Sequence, residues 1–431
     1  MHIEQQQAAR VVDSVHRGIA LDSALAAVDD GSPLRGRALV QELAYGTLRH
    51  WGTLDALARR LAVKPVSEPL LHALVSVALY QLDHTRAPAF AVVDRAVEAA
   101  AGLSRPAAKR WVNALLRRYL REKHALLLIV RRDPVARWSY PRRWIARVKA
   151  DFPAEWESIL DAGNTRPPLT LRVNRRVATL SDLMTKFSEQ AITCTSAGDW
   201  SVIVNPPQAV AELPGYAEGA FSVQDLGGQL AAPLLDMADG MRVLDACAAP
   251  GGKTAHALEL ADVALTAVDR DEGRLQRLSA NLQRLRLDCR NAQVLDGDAR
   301  DPSKWWDARS YDRILADVPC SASGDIRRHP DGKWLRRPAD IAQFVRDQDR
   351  ILDALWPLLA RGGKLLYATC SVFKAENEAR MVDFVGRQPD ALRETIMFPA
   401  EAMHIGGQLL PSSSAAVHNQ DGFFYALLRK A

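Results

Sequence analysis

No apolar run in this chain approaches the ~18 residues that a membrane-spanning helix requires; stretches such as 125–130 (ALLLIV) are as long as they become. The opening residues, MHIEQQQAAR, have no apolar segment of the kind a secretory signal carries. A cytoplasmic protein with no membrane partner is expected. Cysteine is scarce as well: Cys194, Cys247, Cys289, Cys320 and Cys370 are five, an odd number, with no C-x-x-C pair. That excludes a disulfide framework and a thiolate zinc site, so a cysteine that matters is expected to act as a reduced thiol, and no metal cofactor is expected. Aromatic residues make up only 6%, but 48% hydrophobic and 25% charged residues are ordinary for a globular chain and exclude disorder and collagen. No internal repeat or low-complexity segment is present. At 431 residues the chain exceeds what one core usually supports, so two or three domains are expected.

The net charge of +5 is unevenly placed. Residues 1–150 carry 24 Lys and Arg against 13 Asp and Glu, whereas the rest carries 32 against 38, and 101–150 alone holds 14 basic and 2 acidic residues. So basic a block suits a surface that meets phosphates, because neutralising a phosphate releases its counterions. A solvated, arginine-rich helical face is the plain alternative.

Three regions follow from periodicity. From residue 5 to about 130, apolar residues recur at helical spacing, as in Val11, Val15 and Ile19 and in Leu48, Leu54, Leu57 and Leu61. An all-helical domain over 1–140 is expected. Strand-like runs, TRPPLTLRVNRR and WSVIVNPP, then flank one helix, which predicts a linker and small α/β insert over 141–215. Over 216–431 the apolar runs RVLDA, ALTAVDR, AQVLDGD, YDRILADVP and GGKLLYATCS alternate with helical segments. This pattern predicts a doubly wound, Rossmann-like α/β domain with a mostly parallel sheet.

RVLDACAAPGGKTAHALEL runs from a strand through a Pro-Gly-Gly turn into a helix starting near Gly252. Such a turn lets a ligand approach the backbone and the first N–H groups of the helix. The GKT at Gly252–Thr254 invites a phosphate-loop reading, with Asp317 as a magnesium carboxylate. However, that motif needs Gly where Cys247 stands, and Pro250 has no N–H to offer. A nucleotide hydrolase is therefore the second reading. Asp269, ending the second strand, suits the hydroxyls of a ribose, and Asp298 after the third strand would border an adenine. Singly, each acid could equally be a helix cap or loop residue; their shared place at strand ends favours a nucleoside cofactor.

Cys320 follows the fourth strand and Cys370 the fifth, so both should face the same crevice. Cys194 and Cys289 read as small buried hydrophobes. A thiolate adding to C6 of a pyrimidine makes C5 nucleophilic toward an electrophilic methyl group, and Asp317, three residues before Cys320, could support N3. The residues alone do not choose which cysteine attacks. In RRHPDGKWLRR, Arg327, Arg328, Lys333, Arg336 and Arg337 flank Trp334. Basic residues around an aromatic could grip a splayed RNA strand; a helix-entry loop with a buried Trp is the alternative.

DACAAPGGKT, ADVPCSASG, RRHPDGKWLRR, ATCSV and DGFFYALLRK together resemble the Nol1/Nop2/Sun family of S-adenosylmethionine-dependent RNA cytosine-5 methyltransferases. The N-terminal stretch with QELAYGTLRHW is similar to the NusB-type helical RNA-binding domain, and the insert is expected to be RRM-like. The resemblance covers nearly the whole chain. It implies that Cys247, Ala248, Ala249, Pro250, Gly251, Gly252 and Lys253 form the S-adenosyl-L-methionine loop, with Asp269, Asp298 and Asp317 completing the pocket. It further implies that Cys370 is the nucleophile and that Cys320 serves release of methylated RNA. The implied substrate is a cytosine in 16S ribosomal RNA, in an unpaired loop or a partly folded stretch. A non-catalytic RNA-binding assembly factor is a third reading, which the intact set of acids and cysteines opposes. A monomer is expected.

Overall fold

The structure is a computed structural model that describes residues 2–29, 34–62, 68–103, 108–288, 291–414 and 419–431. Cys289 lies outside the described residues.

Helical periodicity in the first part of the chain produces α1 (His2–His16), α2 (Leu21–Ala26), α3 (Leu34–Arg49), α4 (Trp51–Leu61), α5 (Pro69–His84), α6 (Ala89–Leu103) and α7 (Ala108–Val130). Helix α5 opens with Pro69, tolerated where an N–H has no intrahelical partner, and is apolar nearly all round. Its residues 73–81 are all buried, which makes it the central rod against which α1, α3, α4 and α6 pack. Val11, Val15, Leu48, Leu54, Leu57 and Leu61 are buried as their spacing predicts. Ile19 is not: α1 ends at His16, Gly18 turns the chain at φ +100°, and Ile19 faces solvent. Helices α8 (Pro134–Trp138), α9 (Arg142–Asp151) and α10 (Trp156–Gly163) follow. They belong with the bundle, which extends to Thr165 and takes in Ile326–Arg336. The division thus falls later than residue 140 and is interrupted by a distant segment.

The second unit comprises Arg166–Asp325 and Arg337–Ala431. Its first part is β1 (Leu169–Val173), α11 (Leu180–Glu189), β2 (Cys194–Ser196), β3 (Ser201–Val204) and β4 (Phe221–Val223), an antiparallel sheet in the order β2-β3-β1-β4. Thr179 and Asp182 form a capping box at the start of α11. Leu183 and Phe187 of that helix pack on Leu171, Val202 and Phe221.

After α12 (Ala231–Leu234) come β5 (Arg242–Ala246), α13 (Gly252–Leu260), β6 (Ala264–Asp269), α14 (Glu272–Arg284), β7 (Ala292–Asp296) and β8 (Tyr311–Asp317). The chain then visits the helical unit, where Gly332–Leu335 forms α15. It returns as α16 (Pro338–Leu355), β9 (Leu359–Thr369), α17 (Glu378–Arg387), β10 (Ala391–Glu394), β11 (His404–Ile405), β12 (Gln408–Leu409) and β13 (Phe423–Lys430). Strands β7, β6, β5, β8 and β9 are parallel neighbours, as expected. Beyond β9 the sheet continues antiparallel through β13, β12 and β11. Helices α13 and α14 cover one face through Ala255, Leu258, Leu278 and Leu282, and α16 and α17 cover the other through Leu352, Leu355, Met381 and Phe384. Parallel strands send their carboxyl ends, and the loops that follow them, to one edge. No helix among the described residues is long and apolar enough to cross a membrane.

Candidate active site

At that edge the loop after β5 is shaped by backbone needs. Cys247 sits at φ +64° and Gly251 at φ +94°, and a Cβ on Gly251 would come within 2.7 Å of Leu278 Cγ. Only glycine fits there without displacing α14. Asp269, buried at the end of β6, accepts the Ala249 N–H (3.0 Å) and the Asp271 N–H (3.1 Å), so one carboxylate orders two loops. Arg172 of β1, fully buried, pairs with Glu259 (2.6 Å) and donates to the Gly252 carbonyl (2.9 Å), anchoring the start of α13 from the small sheet. Burial, then the carboxylates of Asp269, Asp317, Asp245 and Asp298, push the Cys247 thiol up. It stays a neutral packing group.

A cleft beside this loop is lined by Cys247, Val268, Asp269, Arg270, Asp298, Ala299, Phe344 and Ile351, among others. Asp298 is held by Arg300 (2.6 Å), whose hydrogen bonds, with its charge, keep the carboxyl below its ordinary range despite partial burial. Beneath the loop, Asp245 is 2% exposed, accepts the Thr254 hydroxyl (2.6 Å), and has its second oxygen without a hydrogen-bond partner among the described residues. Burial pushes Asp245 up to about 7. Carboxylates at successive strand ends, apolar walls and an open buried acceptor fit an adenosine carrying an amino-acid tail.

The loops after β8 and β9 supply the reactive groups. Asp317 ends β8 and accepts from Lys253 Nζ at 2.7 Å. Burial alone would pull Lys253 down, but Asp317 outweighs it and leaves the ammonium above its ordinary value. Cys320 and Cys370 face each other with sulfurs 3.4 Å apart. The contact with Cys320, then burial and nearby carboxylates, hold the Cys370 thiol well above its usual range. The loops are laced together: the Gly324 N–H donates to the Cys370 carbonyl (2.9 Å), and the Gly422 N–H donates to the Gly324 carbonyl (2.8 Å). A Cβ on Gly324 would lie 2.1 Å from the Gly422 oxygen, so side chains are excluded at that crossing.

The expected cofactor and catalytic residues therefore converge at one sheet edge. Most of the basic stretch belongs to the helical unit. Arg327, Arg328, Lys333, Trp334 and Arg336 belong to the helical unit, and only Arg337 to the α/β unit. Lys333 is 0% and Arg327 1% exposed. Lys333 Nζ donates to the Arg49 carbonyl (2.8 Å) and Asn164 Oδ1 (2.7 Å), and Trp334 Nε1 donates to the Leu48 carbonyl (2.8 Å). A sealed lysine cannot meet a phosphate, so Lys333, and Arg327 with it, do not offer the expected RNA grip; Lys333 and the half-buried Trp334 fasten the segment to the bundle. Residues the sequence did not single out are Asp245, Arg172, Phe344, Ser321, Ser371 and Glu376. Asp245, as the first residue of DACAAPGGKT, and the two serines, as the third residues of PCS and TCS, carried a signal.

The family described as "16S rRNA methyltransferase RsmB/F" matches residues 232–429, the "NusB family" matches 2–121, and the "Methyltr_RsmF/B-like, ferredoxin-like domain" matches 140–211. Ribosomal RNA small subunit methyltransferase B of Serratia proteamaculans is 42% identical, covering 96% of this chain and 95% of that protein; its Pseudomonas putida counterpart is 44% identical, covering 98% and 97%. Among solved structures, PH0851 shares the fold over 99% of both chains at a TM-score of 0.79 and 23% identity. A methyltransferase homolog protein from Pyrococcus horikoshii covers 69% of this chain and 97% of its own at a TM-score of 0.59 and 25% identity. With all three regions matched and full-length identity above 40%, the chain belongs to the ribosomal RNA small subunit methyltransferase B family of S-adenosyl-L-methionine-dependent enzymes.

Proposed function

We propose that this protein is a monomeric cytoplasmic enzyme that methylates C5 of a specific cytosine in 16S ribosomal RNA through a covalent adduct at C6. The observation that supports it most is the pair of sulfurs 3.4 Å apart beside the Asp317–Lys253 pair. Bound S-adenosyl-L-methionine supplies an electrophilic methyl group. Cys247–Lys253, Asp269 and Asp298 would hold that cofactor, and Asp317 would border it. Cys370, freed of its proton, attacks C6 and makes C5 nucleophilic. Asp317, oriented by Lys253, supports the ring at N3. With the methyl group on C5, loss of the C5 proton to a base and elimination break the Cys370–C6 bond, with Cys320 serving release. The high thiol pKa of Cys370 means that transfer by the free enzyme should rise with pH across the neutral range.

The target base must leave its stack to reach a sulfur at a loop, which favours unpaired or partly folded RNA. Exposed Lys109, Arg110, Arg117 and Arg121 on α7 are the proposed RNA-contacting charge of the helical unit, and exposed Arg337 is a separate proposed contact of the α/β unit. Transfer of labelled methyl to protein-free 16S rRNA, followed by nucleoside analysis, tests the reading. Label in 5-methylcytidine supports it; label in another nucleoside overturns it.

A further inference from the structure

We infer that Glu376 is a positioning residue that ties the loop after β8 to the loop after β9 and so sets the distance between Cys320 and Cys370. The inference rests on the two-cysteine reading above and assigns a residue to it that neither cysteine motif contains.

Ser321 and Ser371 directly follow the two cysteines, and both hydroxyls donate to Glu376 Oε2, at 2.5 and 2.7 Å. The Ser321 N–H donates to Oε1 at 2.8 Å, and Gln348 Nε2 approaches the same oxygen at 3.4 Å. Glu376 is 0% exposed, and these donors are all neutral. A buried carboxylate without a cation costs several kcal/mol unless its lone pairs are filled, and here residues adjoining both cysteines fill them.

The bonding is also directional. Each serine hydroxyl has one proton, so Ser371, having given its proton to Glu376, must accept where it meets Ser323 Oγ at 2.9 Å. Ser323 then accepts from the Val372 N–H at 2.9 Å, and Ser371 Oγ accepts from the Phe373 N–H at 3.0 Å. One acceptor-only carboxylate thereby orients the hydroxyls of both loops. Asn377, next in sequence, accepts the Thr369 hydroxyl (2.6 Å) and donates to the Ser371 carbonyl (2.8 Å), bracing Cys370 from the strand side. Sulfurs in contact at 3.4 Å tolerate little displacement, and misplacement of reacting groups by an ångström can cost on the order of 100-fold in rate.

The test uses Glu376→Ala and Glu376→Gln in the full chain, with two readouts. The first needs no RNA. With oxidised glutathione, Cys320 and Cys370 each give up a proton, the sulfurs join, and the reagent takes the electron pair to become two thiols. The rate is followed by loss of two hydrogens in the linked peptides, with Cys320→Ala as the blank. Glu376→Ala should slow this closure about tenfold or more, because proximity supplies the effective concentration. Glu376→Gln, whose amide oxygen still accepts one hydroxyl, should fall between; it also serves if the alanine variant does not fold.

The second readout is the covalent RNA adduct on a denaturing gel. Glu376→Ala should slow methyl transfer and prolong the adduct relative to product, while S-adenosyl-L-methionine affinity by calorimetry stays within about twofold. Wild-type closure and adduct lifetimes in the variants would overturn the inference, as would transfer lost only in proportion to cofactor affinity or folded fraction. If Cys320→Ala accumulates no adduct, the covalent reading itself fails, and the closure rate alone decides the role of Glu376.

Discussion

Lys253 and Lys333 are both sequestered lysines that directly follow the first glycine of a helix, in segments that the sequence marks as ligand-facing. Lys253 retains 15% of its side-chain exposure and lies 2.7 Å from Asp317, which holds it charged against the pull of burial. Lys333 is sealed over the Tyr140 ring (4.1 Å) and bonded to neutral oxygens, so burial, and then Arg49, drives its pKa well below the ordinary value. Charge with a carboxylate partner at a strand-end crevice is available for chemistry. A lysine sealed among carbonyls is a fastener.

The contrast predicts that site-loop variants change turnover with little effect on folding, and that variants of 326–336 do the reverse. The largest effect is expected for Cys370→Ala, which should abolish labelled methyl transfer while melting like wild type. Lys253→Met strips Asp317 of its partner and should lower kcat by about 10²–10³-fold, as removal of one preorganised polar group does elsewhere, again with little change in melting. If Lys253→Met instead mainly unfolds the protein, the two lysines are alike and the contrast fails.

Lys333→Met leaves the buried Arg49 carbonyl and the half-buried Asn164 Oδ1 unpaired and should cost on the order of 2 kcal/mol at pH 10, read by thermal unfolding. A lysine whose folded pKa is depressed stabilises above its unfolded value, 10.5, and that stability is lost as pH falls toward the folded pKa. The gap between wild type and Lys333→Met should therefore narrow from pH 10 to pH 7. A gap that widens would place a charged lysine in the site. The smallest effect belongs to Trp334→Phe, which loses one hydrogen bond to Leu48 worth about 1 kcal/mol and should leave the KM for RNA unchanged; a raised KM would restore Trp334 to the RNA surface.

The parallel strands and their loops were legible because each strand is a short apolar run ending in a residue that stops it: Asp269 ends β6, Asp317 ends β8, and the turn 250–252 opens α13. The antiparallel edge was harder to read. Strands β11 and β12 have two residues each, too few to show a period. The burial of Arg327 and Lys333 was not legible, because a local run of cations and a Trp looks the same whether solvent or carbonyl groups surround it.

Composition and order alone determined the helical, small α/β and doubly wound regions and the gathering of Asp269, Asp298, Asp317, Cys320 and Cys370 at one sheet edge. Periodicity and strand-end position are local properties, and parallel topology converts them into a shared crevice. Tertiary structure alone decided that Lys253 meets Asp317, that the sulfurs stand 3.4 Å apart, that Glu376 bonds both serine hydroxyls, and that Lys333 is buried. Those outcomes depend on which groups distant in sequence share a hydrogen-bonding distance, and burial sets the cost of leaving any of them unpaired.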